Sequence, residues 1–157
     1  MNPLLLRGIL SAVLGAVAMT LSSTTEMHLR RRPPSETPGE AGNKLLGLFG
    51  IARRTGESLT LLSTWVHWVY SSLWGIVFWI LLDPQMAGLD LWRAGPLFFV
   101  LVWGTALLML PVIGLAPPFW KWGGTEVALD AWHHLVYAAG TVAGWWLIGR
   151  AGAGGGS

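Results

Sequence analysis

From Leu59 to Leu82 the chain reads LTLLSTWVHWVYSSLWGIVFWILL, apolar along its whole length apart from a few hydroxyls and one histidine. Crossing a hydrocarbon core of about 30 Å takes about 20 mainly apolar residues in a helix, so the stretch predicts a transmembrane α-helix. Strands are excluded, because backbone groups in lipid must be satisfied within the segment or a closed barrel, and the alternation a barrel strand needs is missing.

Outward from this run, Gly8 to Leu21, Gly95 to Leu115 and Val127 to Ile148 have the same character. The expected fold is all-α: an integral membrane bundle of four transmembrane helices, at about residues 4–26, 59–82, 95–115 and 126–148. One transmembrane domain would occupy residues 1–150, with a basic connection at 27–58 and a disordered Gly-rich tail at 151–157. Composition agrees, with 53% hydrophobic residues, 11% charged residues and 11 Trp in 157. Arg7 followed by an apolar stretch resembles a signal peptide, but Leu21-Ser22-Ser23-Thr24-Thr25 offers no Ala-x-Ala-like site, and the first helix is expected to stay uncleaved.

The absence of Cys removes disulfides, iron–sulfur clusters, thiolate zinc sites and c-type haem attachment. The net charge of +2 comes mostly from one segment, so nucleic acid is not an expected partner. That segment, the first connection, holds Arg30, Arg31, Arg32, Lys44, Arg53 and Arg54, and Pro33, Pro34, Pro38 and Gly39 predict an irregular first half. From Lys44 to Arg54, Leu45, Leu48, Phe49 and Ala52 recur at helical spacing, which suits a short interfacial helix on an anionic leaflet; a solvated linker is the alternative, since Gly47 and Gly50 weaken a helix. The second connection, Asp83 to Arg93, is a polar turn. In the third, Trp120 and Trp122 belong at an interface. With Lys121 on the same side, the positive-inside rule makes the first and third connections cytoplasmic and turns both termini outward, against a weak opposite pull from Arg7.

Two segments repeat: His67-Trp68-Val69-Tyr70-Ser71-Ser72 and His134-Leu135-Val136-Tyr137-Ala138-Ala139. Gly15 to Leu21 loosely parallels Gly104 to Leu110, so the chain can be read as two helical hairpins in tandem, with His67 facing His134. Gly104, Gly140 and Gly144 offer small surfaces for close helix contact.

An ionisable residue within a membrane helix costs about 2.5 kcal/mol or more to insert and is a functional candidate by default. In the fourth helix Glu126, Asp130 and His134 are one turn apart and share a stripe. His67 enters from the same face, about two turns inside its helix, and Glu26 ends the first helix there. These five form the expected cluster. His133, pointing about 100° away from His134, is secondary, as are Tyr70 and Tyr137. Such groups share protons; His67, His134 and Asp130 can bind a zinc-, iron- or manganese-like divalent metal, and two facing histidines can ligate a b-type haem. The plain alternative is polar glue between helices. No Ser-His-Asp order, Walker loop or Rossmann fingerprint is present, so an enzyme is not expected.

Gly114-Leu115-Ala116-Pro117-Pro118, followed by Glu126-x-x-x-Asp130-x-x-x-His134-Leu135-Val136-Tyr137, resembles the YagU-like inner-membrane proteins of bacteria, where the pattern is Gly-Leu-x-Pro-Pro and then Glu-x-x-x-Glu-x-x-x-His-Leu-Val-aromatic. His67 with Val69-Tyr70-Ser71, and the spacing of Gly15 and Glu26, extend the likeness over most of the membrane part, but not over the basic connection or the tail. The resemblance implies a multi-pass protein of the bacterial cytoplasmic membrane linked to acid tolerance, with Glu26, His67, Glu126, Asp130 and His134 as its polar positions. Asp130 for Glu, His133 for a small residue and the basic first connection are departures. The family's N-terminal positive charge would put the cluster outside.

The expected function is proton or ion handling or acid response, with His67 and His134 titrating under the influence of Asp130, Glu126 and Glu26. A non-catalytic accessory subunit of a larger membrane complex is the alternative, and a haem- or metal-binding protein the third reading. The expected partners are the lipid bilayer and other membrane subunits or further copies of the chain.

Overall fold

The structure is a computed structural model describing residues 2–154, with side chains through Ala151. Its elements are α1 (Pro3–Arg30), α2 (Thr37–Leu48), α3 (Glu57–Leu82), α4 (Leu91–Val112), a 3-10 turn (Phe119–Lys121) and α5 (Gly124–Gly154). Local chemistry sets their ends. Asn2 caps α1 by accepting from the Leu4 N–H at 2.8 Å, with Pro3 at the first position, where its missing N–H costs nothing. Asp90 caps α4 through the Arg93 N–H at 2.9 Å. Beyond Pro111, the left-handed Gly114 closes α4, and the Leu115 N–H reaches the Leu110 carbonyl at 2.9 Å.

α1 runs antiparallel to both α3 and α5. Thr20 meets His67 while Gly8 meets Gly75, and Ser22 meets His133 while Ser11 meets Gly144. α4 runs antiparallel to α5, from Gly95 opposite Val142 to Trp103 opposite Asp130. The basic first connection and the aromatic third connection therefore share one end of the bundle. At the other end Arg7 donates from Nε and Nη2 to the Trp145 carbonyl, its guanidinium 4.1 Å from the Trp145 ring centre.

The helices approach through small residues. A Cβ on Gly75 would lie 2.5 Å from the Gly8 carbonyl oxygen and 2.6 Å from the Ile9 Cα; Gly140 and Gly144 abut Gly15 and Ser11. Gly104 has nothing within 4 Å, so its expected close contact is absent. The centre is filled by Phe78, Phe98 and Tyr137, all buried, with ring centres 4.9 Å apart for the first pair and 5.7 Å for the second. Tyr137 donates its hydroxyl to the Ser71 carbonyl at 2.6 Å, as a buried phenol requires.

Three helices, α1, α3 and α4, are long and apolar enough to cross a membrane, where the sequence suggested four. The fourth candidate, α5, is the longest at 31 residues, but Glu126, Asp130, His133, His134 and Arg150 dilute its apolar character. It also runs on to Gly154, past the Ile148 boundary; the remainder of the expected disordered tail, residues 155–157, lies outside the described residues.

The short helix in the first connection falls earlier than its apolar spacing suggested, at Thr37–Leu48 rather than 44–54. Pro38 initiates it instead of breaking it, since a first-turn proline needs no donor, and Gly50 at φ +70° ends it. Gly39 and Gly42 seat α2 on α3, and Glu40 receives Arg53 at 2.6 Å. The Arg53 guanidinium holds the Glu40 carboxyl below the usual carboxylate range. A depressed carboxyl contributes above its unfolded pKa and loses that contribution as pH falls through the folded value, so this pair opens only on acidification below the ordinary carboxylate range.

Candidate acid–base cluster

The left-handed Arg31 (φ 53°) turns the chain at the end of α1, so that Arg32 folds back on Glu26 six residues earlier. Such a backbone conformation costs a non-glycine residue about 1 kcal/mol, and the contacts it permits offset the cost. Arg32 Nε donates to Glu26 Oε1 at 3.0 Å and Oε2 at 2.9 Å, and Nη2 to Oε2 at 2.5 Å. Arg30, one turn from Glu26, donates to Oε1 at 3.1 Å and with its other arm holds Glu126 of α5 at 2.5 Å. One buried carboxylate is thus fixed by two guanidiniums, one of which ties α1 to α5.

His133 completes this group. It is buried between the helices; Nδ1 lies 3.0 Å from the Ser22 hydroxyl and Nε2 3.9 Å from Glu26 Oε2. Among the described residues Nε2, fully buried, has no hydrogen-bond partner. A cavity of about 260 Å³ opens beside it, lined by Glu26, Arg32, Trp122, Glu126, Asp130 and His133.

No family model, characterised protein or solved structure matches this chain.

His134 is arranged differently. Its Nδ1 lies 2.7 Å from the Asp130 carbonyl oxygen, which can only accept, so Nδ1 carries a proton. The Asp130 carboxylate lies 3.7 Å from the same nitrogen and receives the Trp103 indole N–H of α4 at 2.8 Å. Cutting that bond by Trp103→Phe should lower stability by about 1 kcal/mol, and adding Asp130→Leu should recover part of the loss, because the half-buried carboxylate is then no longer left without its donor. Thermal unfolding of the two variants in detergent checks the order.

The structure therefore gathers Glu26, Glu126 and Asp130 at the basic end, as the spacing suggested, and adds His133 to them. His67 and His134 take different partners. His67 Nε2 contacts Thr20 of α1 at 3.2 Å, while His134 is held by its own preceding turn. The two tyrosines also differ: Tyr137 is buried, and Tyr70 lies exposed on α3. Among the described residues no three His, Cys, Asp or Glu side chains converge as metal ligands, so His67, His134 and Asp130 do not form a divalent-ion site. Arg30, Arg32, Ser22 and Trp103 are the partners that spacing alone did not single out.

Proposed function

We propose that this chain is a four-crossing protein of the bacterial cytoplasmic membrane whose His133–Glu26 pair takes up protons at the basic end and so responds to acidification, without enzymatic turnover. What carries the reading is the buried, unpartnered His133 Nε2 beside a buried carboxylate. Protonation gives that imidazole a second N–H, with Glu26 the acceptor nearest to it, and puts a new cation where Arg30 and Arg32 already compete. The Phe78, Phe98 and Tyr137 plug beneath the cluster favours proton uptake at one face over conduction across the bundle. For α5 as the fourth crossing, its support is antiparallel contact with α1 from Glu126 at one end to Trp145 at the other, its polar side chains turned toward α1 and α4. The basic connections favour a cytoplasmic cluster. Resemblance to YagU-like proteins points to the same acid response.

In lipid vesicles, nitrogen-15 NMR of the four histidines should show His133 changing protonation between pH 8 and 5, a range in which histidine charge ordinarily switches, with the signal assigned by its loss in His133→Ala. Cells carrying His133→Ala should lose acid survival. A His133 that stays neutral to pH 5, or a variant that survives acid like wild type, would end this reading. A His133-dependent proton flux across the vesicles would replace uptake with conduction.

A further inference from the structure

Helix α2 does not lie flat across the end of the bundle. Gly39 sits against Leu59 and Ser63, and Gly42 against Leu62 and Val66, so a three-residue advance along α2 matches a three-residue advance along α3. The two helices run side by side in one direction. Because α3 enters the membrane from this end, the C-terminal end of α2 is carried inward past Val66, about 14 Å along α3 from Glu57 at 1.5 Å per residue. The side of α2 facing away from α3 and the turn after it present Leu45, Leu48, Phe49 and Ile51, with Leu48 80% and Phe49 75% exposed.

The first three N–H groups of the turn are paired with the end of α2. Phe49 N–H donates to the Leu46 carbonyl at 3.0 Å, Gly50 to Gly47 at 3.1 Å and Ile51 to Leu46 at 3.1 Å. Asn43, buried against this turn, clamps both backbone groups of Arg54, accepting its N–H at 2.8 Å and donating to its carbonyl at 3.0 Å. Lys44 and Arg54 flank the apolar tip and have no ion pair among the described residues. Their long stems let the charges reach back toward headgroups.

We propose that α2 and its turn form a re-entrant wedge. Leu45, Leu48, Phe49 and Ile51 insert among the acyl chains of the leaflet at the basic end, and Lys44 and Arg54 hold anionic phospholipid headgroups above them. The wedge is independent of the proton site. Because the chain has no Cys, Leu48→Cys, Phe49→Cys and Glu57→Cys can each carry one fluorescent label on the full-length protein. The labelled proteins are reconstituted in phosphatidylcholine vesicles with or without phosphatidylglycerol, holding a nitroxide either on the headgroup or at mid-chain.

The Leu48 and Phe49 labels should be quenched mainly by the mid-chain nitroxide and shielded from aqueous iodide, and the Glu57 label should show the reverse. Iodide access at Leu48 and Phe49, or headgroup quenching there, overturns the wedge. Protection from every quencher also overturns it, in favour of a protein partner or a second copy of this chain. Phosphatidylglycerol should deepen the Leu48 label, and Lys44→Gln with Arg54→Gln should abolish that shift; a shift that survives the double substitution removes the headgroup contact from the proposal.

Discussion

Replacing Gly15 by leucine should separate α1 from α5 and remove about 3 kcal/mol or more of stability, the upper end of what overpacking costs. A Cβ at this position would lie 2.5 Å from the Tyr137 carbonyl oxygen and closer still to the Thr141 hydroxyl. The hydroxyl can rotate only by giving up its 2.9 Å bond to that same carbonyl, and the carbonyl belongs to helix backbone, which cannot move alone. The helix axes must therefore part, and the strain spreads to Gly140 against Gly15 and to the Tyr137 hydroxyl on Ser71. In lipid no hydrophobic force compensates, because acyl chains solvate the exposed faces as well as leucine does; close van der Waals contact is what holds such helices together. Gly104→Leu is the matched control. That position faces open space, and leucine there should be neutral or stabilising by up to about 1 kcal/mol through helix propensity. Equilibrium unfolding of both variants in the same mixed micelles measures the contrast, and equal losses would mean that glycine content rather than the α1–α5 seam governs stability.

Helices α3 and α4 were legible because each is a long apolar run with a recognisable stop: Asp83-Pro84 after α3, and Pro111 with Gly114 after α4. The place of α2 was not, since Leu45, Leu48 and Phe49 are the residues it leaves uncovered; the glycines that would ordinarily argue against a helix are the ones that pack it. Glu126, Asp130 and His134 do share a stripe, yet that stripe faces α4 near Trp103 at its inner end. The side of α5 turned toward α1 is marked by small residues, Gly140, Thr141 and Gly144, and extending that helical spacing back through Tyr137 arrives at His133. The small-residue spacing thus marks His133, whereas the histidine repeat marks its neighbour His134. Arg32 was out of reach for another reason: only a left-handed residue at Arg31 returns it to Glu26, and nothing about an arginine predicts that backbone.

Glu26→Ala should be the most damaging single change in the cluster, and Glu26→Gln a partial one. Removing one partner of a buried ion pair costs about 3–5 kcal/mol when the remaining charge stays buried. Here the loss should be smaller, about 1–3 kcal/mol, because the side chains of Arg30 and Arg32 are 39% and 37% exposed and can turn toward water or headgroups. Two consequences go beyond stability. Arg32 loses its anchor, so the turn at Arg31 has nothing to offset its left-handed conformation, and the start of the basic connection should loosen. His133 keeps Ser22 but loses the carboxylate nearest its free nitrogen. Glutamine restores an acceptor for one arginine without the charge, so it should recover part of the folding stability while leaving the protonation of His133 altered. That split is diagnostic. Hydrogen exchange at residues 30–36 reads the loosened connection, and the histidine titration reads the proton. If Glu26→Gln matches wild type in both, the carboxylate charge is irrelevant to the cluster and His133 is held by Ser22 and packing alone. If it restores stability while shifting the titration, Glu26 sets the proton affinity of the buried imidazole.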